Sequence, residues 1–200
     1  MNYFAIFKIS LLCFYALSIN TLADTFVSED VITNPTPDNF SICHDHTCTK
    51  VSKVRLSAEN WQHIRRFFHP PAVSAKQERV QLKLAIAKLE YYVGALTGTS
   101  GDKGKNLDGV GEEGQLDCID ESTNTSIYLM MLQKDGLMTK HIVMDRETRG
   151  FLPFSWPHTT AVIREKNQQT LFAVDSWFRD NGYPPYIIPF QEWEDGWRPN

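Results

Sequence analysis

The spacing of apolar positions changes character several times along the chain. Between Ser57 and about Phe68, Trp61, Ile64, Phe67 and Phe68 fall on one stripe at helical spacing. Ser57 can cap this helix and Pro70-Pro71 can stop it. Ser74 with Gln77 fits the capping-box pattern. A longer amphipathic helix should follow, using Val80, Leu84, Leu89, Val93 and Leu96 and ending near Gly98, with its stripe as core. Residues 97–114 are rich in Gly, Asp, Lys and Asn and predict a loop. A third helix should run from Cys118 to about Lys134, closed by Asp135-Gly136, with Tyr128, Leu129, Met131 and Leu132 as its apolar part. Its first half, Ser122-Thr123-Asn124-Thr125-Ser126, has weak helix propensity, so tertiary packing must hold it. Small side chains there would let the segment lie close under a sheet.

The strand pattern is concentrated after this helix. Segments 138–146, 157–165 and 170–178 predict strands, the last two forming a hairpin around Lys166-Asn167-Gln168-Gln169. Alternation puts His158, Thr160 and Val162 on one face. If Glu165 pairs with Thr170, then Thr160 stands opposite Asp175 and His158 opposite Trp177. His158 and Asp175 become diagonal neighbours about 7–8 Å apart in backbone, within side-chain reach. A one-residue slip would put them on opposite faces. A shorter strand is expected over 51–56. Residues 24–40 read as an extended or mobile arm. The tail, from Asp180, is dense in Pro, Trp and Tyr and should wrap the sheet edge, with a short helical turn starting near Phe190 to Trp193.

The N-terminus changes the picture of where the chain works. Lys8 is the only early charge, Ile9 to Ile19 is apolar except for Ser10 and Ser18, and Thr21-Leu22-Ala23 offers a small-residue cleavage site. Residues 1–23 therefore read as a signal peptide, and the apolar run is too short for a comfortable membrane span. An uncleaved anchor is the alternative. Residues 24–200 are one domain's worth of chain with no second segment of spanning length, so no integral membrane segment is expected after cleavage. The protein should be exported, periplasmic or secreted. Signal removal takes Lys8 from the 20 basic residues and none of the 24 acidic ones, moving net charge from −4 to −5. That balance argues against a nucleic-acid partner.

Export gives the cysteines meaning. Cys13 leaves with the signal. Cys43 and Cys48 bracket His44-Asp45-His46-Thr47, and a local disulfide is the favoured reading in an oxidising compartment. Metal binding by two thiolates and two imidazoles is the sharper alternative. Either way Cys118 is left over. Gly109-Val110-Gly111-Glu112-Glu113-Gly114 formally matches a dinucleotide fingerprint, but no strand precedes it and paired glutamates would repel a pyrophosphate.

Cys118, His158 and Asp175 come in the order of a Cys-His-Asp nucleophilic centre. A helix N-terminus and a neighbouring imidazolium would favour the thiolate, whereas Asp117, Asp120 and Glu121 would oppose it. Asp175, inside an apolar strand, needs a partner, and His158 is the natural one. Gln115, three residues before Cys118, is an oxyanion candidate together with the Cys118 amide.

Asp117-Cys118-Ile119-Asp120-Glu121 resembles the nucleophile motif of the bacterial transglutaminase-like cysteine proteinases, periplasmic members of the papain-like superfamily. His158-Thr159-Thr160-Ala161-Val162 resembles their His strand and Ala173-Val174-Asp175 their Asp strand. The resemblance covers about residues 114–178. It implies an α+β fold with a papain-like, transglutaminase-like core, in which the Cys-bearing helix packs on an antiparallel sheet beside N-terminal helices. It also implies Cys118 as nucleophile, His158 as base and Asp175 as orienting group, acting on a protein or peptide substrate. Asp117 and Asp120 would match acidic positions that in some such enzymes help hold calcium. A more distant resemblance is to NlpC/P60-like cell-wall peptidases, which also begin a helix with Asp-Cys. A rival expectation is a non-catalytic peptide- or protein-binding module on the same fold, with Trp177, Tyr183, Tyr186, Trp193 and Trp197 as its contact surface.

Overall fold

The computed structural model describes residues 30–106, 111–150 and 156–200. The expected signal peptide, the first residues of the expected arm, part of the glycine-rich loop and the segment before the His strand lie outside them. In chain order the elements are β1 (Phe40–His44), β2 (Lys50–Val54), α1 (Ala58–Arg66), α2 (Ala75–Thr97), α3 (Cys118–Lys134), β3 (His141–Arg149), β4 (His158–Glu165), β5 (Leu171–Asp175), β6 (Tyr186–Pro189) and α4 (Phe190–Glu194). The protein is therefore α+β, with two antiparallel sheets: β1-β2, and a four-stranded meander β3-β4-β5-β6.

The helices start where their capping residues dictate. Ser57 accepts from the Asn60 amide, and Ser74 from the Gln77 amide. Gln77 reaches back to the Val73 amide rather than to Ser74 itself (2.9 Å). Gly98, at φ 82°, ends α2 in the left-handed conformation that glycine adopts without cost.

The expected stripe of α2 is only partly right. Leu89 and Val93 are buried, but Val80, Leu84 and Leu96 face solvent. The buried face runs instead through Glu78, Leu82, Ile86, Leu89, Glu90 and Val93. The helix is apolar on more than one side, so periodicity alone does not choose the core face. Two inward glutamates, which pattern would send to solvent, find partners in other elements.

Two strands were not foreseen. β1 pairs with β2, Phe40 opposite Val54 and His44 opposite Lys50. The expected arm is tied down from Asp30 onward in part: the Ile32 amide donates to Ser41 Oγ and the Leu56 amide to Pro37 O, each at 2.8 Å. β6 extends the main sheet where the tail was expected to wrap its edge. β3 begins and ends about three residues later than expected, with a register shift between Met144 and Glu147.

The weak-propensity half of α3 is held by tertiary bonds. Asn124 donates to Cys43 O and accepts from the Cys43 amide at 2.8 and 2.7 Å, pairing with β1 as a further strand would. Thr125 and Ser176 share a hydrogen bond of 2.8 Å. These short side chains let α3 lie directly between β1 and β4. The second half of α3 supplies Ile127, Leu129, Met131 and Leu132 to a core shared with Leu82, Ile86, Ala161, Ile163 and Val174.

Candidate active site

Cys118 is the first residue of α3, and Asp117 is its N-cap. The Asp117 carboxylate accepts from the amides of Ile119 and Asp120, and Asp120 answers by accepting from the Asp117 amide, a complete capping box. Gly114, at φ 78°, delivers the chain to this point; a Cβ there would meet Gly98 O at 2.5 Å.

A second loop closes over the same helix end. Cys43 and Cys48 sit at disulfide distance, Cα–Cα 4.5 Å. Between them Asp45, His46 and Thr47, with Cys48 itself, all have positive φ, 51–65°. This uncommon run of left-handed residues points amides at α3: Thr47 N–H donates to Asp117 Oδ2 (2.9 Å) and Cys48 N–H to Asp120 Oδ1 (2.7 Å). All four carboxylate oxygens of Asp117 and Asp120 are thus engaged by backbone amides. The positions associated by resemblance with calcium act here as clamps joining the loop to the helix. His44, one of the imidazoles of the metal alternative, bonds Asp45 and Ser52. His46 has both ring nitrogens buried without partners.

His158 and Asp175 come from neighbouring strands in the register expected of the hairpin. Ala161 stands opposite Val174, and Glu165 N–H donates to Thr170 O. His158 Nε2 lies 2.7 Å from Asp175 Oδ2. The same oxygen accepts from Trp193 Nε1 at 2.8 Å, while Asp175 Oδ1 is buried with no partner. Trp177, Phe178 and Trp193 surround the imidazole, with ring centroids 5.0, 5.3 and 5.8 Å away. Trp193, on α4, carries no motif that would mark it; the rival expectation placed it on a contact surface, but it is buried against Asp175.

Cys118 and His158 line one cavity of about 640 Å³. Asp117 and the His46-Thr47 turn form part of its wall, Trp156, Trp177 and Phe178 give it an aromatic side, and Lys105, Arg149 and Arg198 make its remaining charge positive. Arg149 is positioned by the carbonyls of Trp193 and Trp197. Among the described residues no hydrogen bond joins the Cys118 thiol to the imidazole. His158 Nδ1 makes no hydrogen bond among the described residues, so one ring nitrogen is left for chemistry.

Burial pushes the Cys118 thiol up to about 11, with Asp117 and Asp175 adding to the rise, while the Thr159 amide opposes it. The rise favours the neutral thiol, and its main cause is burial; of the flanking carboxylates only Asp117 adds to it. Gln115 does not serve as an oxyanion donor in this arrangement. Its Oε1 accepts from Lys103 N–H and Asn106 Nδ2, and its Nε2 donates to Gly101 O. The side chain is spent on the 101–106 loop, where it orients Asn106, a cavity residue.

Behind the site lies a group of buried acids. Burial raises Glu90 to about 8 and both Asp102 and Asp120 to about 7, and raises Glu121 as well. Asp102 accepts from the Leu116 amide at 2.7 Å, and Glu90 from the Gly182 amide at 3.1 Å.

Comparison of the chain with protein-family models, with curated proteins and with solved structures gives no match.

Proposed function

We propose that this is an exported thiol-dependent amide hydrolase, a cysteine peptidase of papain-like, transglutaminase-like architecture. The observation that carries the reading is the His158–Asp175 pair, whose imidazole lines the same cavity as a thiol at a helix N-terminus and whose second ring nitrogen bonds no described residue. Because burial keeps Cys118 protonated, the attack is base-assisted and does not start from a standing thiolate. As the Cys118 sulfur bonds to the substrate carbonyl carbon, its proton passes to His158 Nδ1. The Asp175 carboxylate, with Trp193 holding the same oxygen, fixes the ring and stabilises the imidazolium. The imidazolium then protonates the departing amine, and water, deprotonated by the same ring, releases the acid from the thioester. The helix N-terminus favours the negative charge that grows at this end of α3.

The test is acylation by p-nitrophenyl acetate, read as a burst of nitrophenol and as acetyl mass on the peptide containing Cys118. The expected result is a burst in the wild type that is absent in Cys118→Ser and at least about a hundredfold slower in His158→Ala. Acylation at Cys118 that ignores His158→Ala would overturn the base assignment. No acylation would leave the binding-module reading ahead, which the raised thiol favours.

A further inference from the structure

Seven large apolar side chains are well exposed among the described residues. Five of them, Val73 (87%), Val80 (53%), Leu84 (43%), Tyr91 (58%) and Leu96 (58%), lie on α2 or just before its cap. A sixth, Tyr183, follows Gly182, which packs against Tyr91. Leu96 stands about 140° around the helix from Tyr91, whereas Val80, Leu84 and Tyr91 gather into a patch.

Helical geometry orders it. At 3.6 residues per turn, Val80, Leu84 and Tyr91 share one stripe about 23 Å long when measured from Lys76. Lys76 and Lys83 border that stripe on one side and Lys88 on the other. Both carboxylates of α2, Glu78 and Glu90, turn inward and are buried. None of the three lysines enters an ion pair among the described residues. Lys88 Nζ rests 4.0 Å from the Tyr91 ring centre and 4.7 Å from that of Tyr92, and Arg179 adds a further cation beside Lys83. Of the acids beside residues of this face, Glu59 lies beyond Tyr92 with Arg66 beside it, Glu165 pairs with Arg79, and Asp180 pairs with Lys103.

We propose that this face of α2 lies on an anionic phospholipid surface. Val80, Leu84 and Tyr91 enter the boundary between headgroups and acyl chains, and the lysine stems reach along them to place ammonium groups on lipid phosphates. The charge pattern chooses this occupant. A second copy of the same face would set lysines against lysines, whereas a negatively charged sheet of headgroups complements lysines on both flanks of a convex ridge. The inference is independent of the acyl-transfer chemistry.

The experiment is co-sedimentation with vesicles of phosphatidylcholine alone or mixed with phosphatidylglycerol, at low and high salt. Wild type and variants are purified in the form the cell produces. Binding is expected only to the anionic vesicles, falling with salt. It should fall about a hundredfold in Lys76→Gln/Lys83→Gln/Lys88→Gln and at least about tenfold in Leu84→Gln/Tyr91→Gln. Since these side chains are exposed, unchanged melting curves certify that the variants fold. Binding that persists in both variants would overturn the proposal by placing the contact elsewhere. So would failure to bind anionic vesicles, or self-association or capture by an acidic protein that Leu84→Gln/Tyr91→Gln abolishes without any lipid binding.

Discussion

Among the described residues two histidine–carboxylate pairs, His141–Glu78 and His158–Asp175, have both partners buried, and they differ in what is left over. In the first, Glu78 on α2 accepts from Thr139 N–H and Oγ1–H, Lys140 N–H, His141 N–H and His141 Nδ1, at 2.7–2.9 Å. The other ring nitrogen of His141 accepts from Arg79 at 3.1 Å, and Arg79 also bonds Glu165. Both carboxylate oxygens of Glu78 and both ring nitrogens of His141 have partners, and the cluster nails the start of β3 to α2. In the second pair, among the described residues, His158 bonds only Asp175, through Nε2, and Asp175 keeps one buried oxygen without a donor. The comparison teaches that a buried His–carboxylate pair is no sign of chemistry in itself. A saturated pair is a rivet; an unsaturated pair lining a cavity beside a thiol can turn over protons.

The largest expected effect separates the two pairs by reactivity. Asp175→Asn should slow acylation of Cys118 by about a hundredfold or more by losing control of the ring's tautomer, whereas Glu78→Gln should leave it within about twofold once folding is assured. Equal effects in the same burst assay would erase the distinction. Stability should rank the pairs in the opposite order. Glu78→Ala strips several buried donors of their acceptor and should cost about 3–5 kcal/mol in urea denaturation. Asp175→Asn should cost less, because it leaves fewer orphans.

The loop over Cys118 offers a second way to sharpen the contrast. Cys43→Ser/Cys48→Ser should lower stability by about 2 kcal/mol on loop-closure grounds and should also slow acylation, because Thr47 and Cys48 clamp the N-cap of α3. A loss of stability with unchanged acylation would make the clamp purely structural. The smallest effect is expected from Trp193→Phe, which removes one donor from Asp175 at a cost of about 1 kcal/mol and a modest loss of rate.

The acids of the two regions also predict opposite pH responses. Burial raises Glu78, but hydrogen bonds from His141, Lys140 and Thr139 outweigh it and leave the group below its ordinary 4.5. Its contribution is therefore present above the unfolded value and lost as pH falls through the folded one. Burial dominates at Glu90, at about 8, and at Asp102 and Asp120, at about 7. The folded state holds these protons after the unfolded chain has released them. Stability should thus decline as pH rises from about 4.5 to about 8. Glu90→Gln should flatten that decline in denaturation curves taken across the range; an unchanged slope would show that other groups carry it.

Much of the local structure was legible in the chain. The start of α3 at Cys118 and its end near Lys134 were read from the sequence, whereas the Asp117 cap emerged only in the structure. The β4–β5 register followed from alternation and hairpin length, and it brought His158 to Asp175. The outward face of α2 was misjudged because its core side includes two glutamates whose partners lie 61 or more residues away. β1 escaped notice because it pairs both with β2 and with the Asn124 side chain. Gln115 looked available beside Cys118 in sequence, yet the loop before it takes up every polar atom of its amide.

Features that depend on neighbours within a few residues could be read along the chain: helix starts, strand alternation, hairpin register, and which cysteine had no local partner. Only the tertiary structure decided what depends on groups brought together from afar. It chose the side of α2 that is buried, turned Asp117 and Asp120 into clamps for a left-handed loop, supplied Trp193 to Asp175 and pushed the Cys118 thiol upward by burial. Those outcomes are set by desolvation and by hydrogen-bond partners, which have no period along the chain.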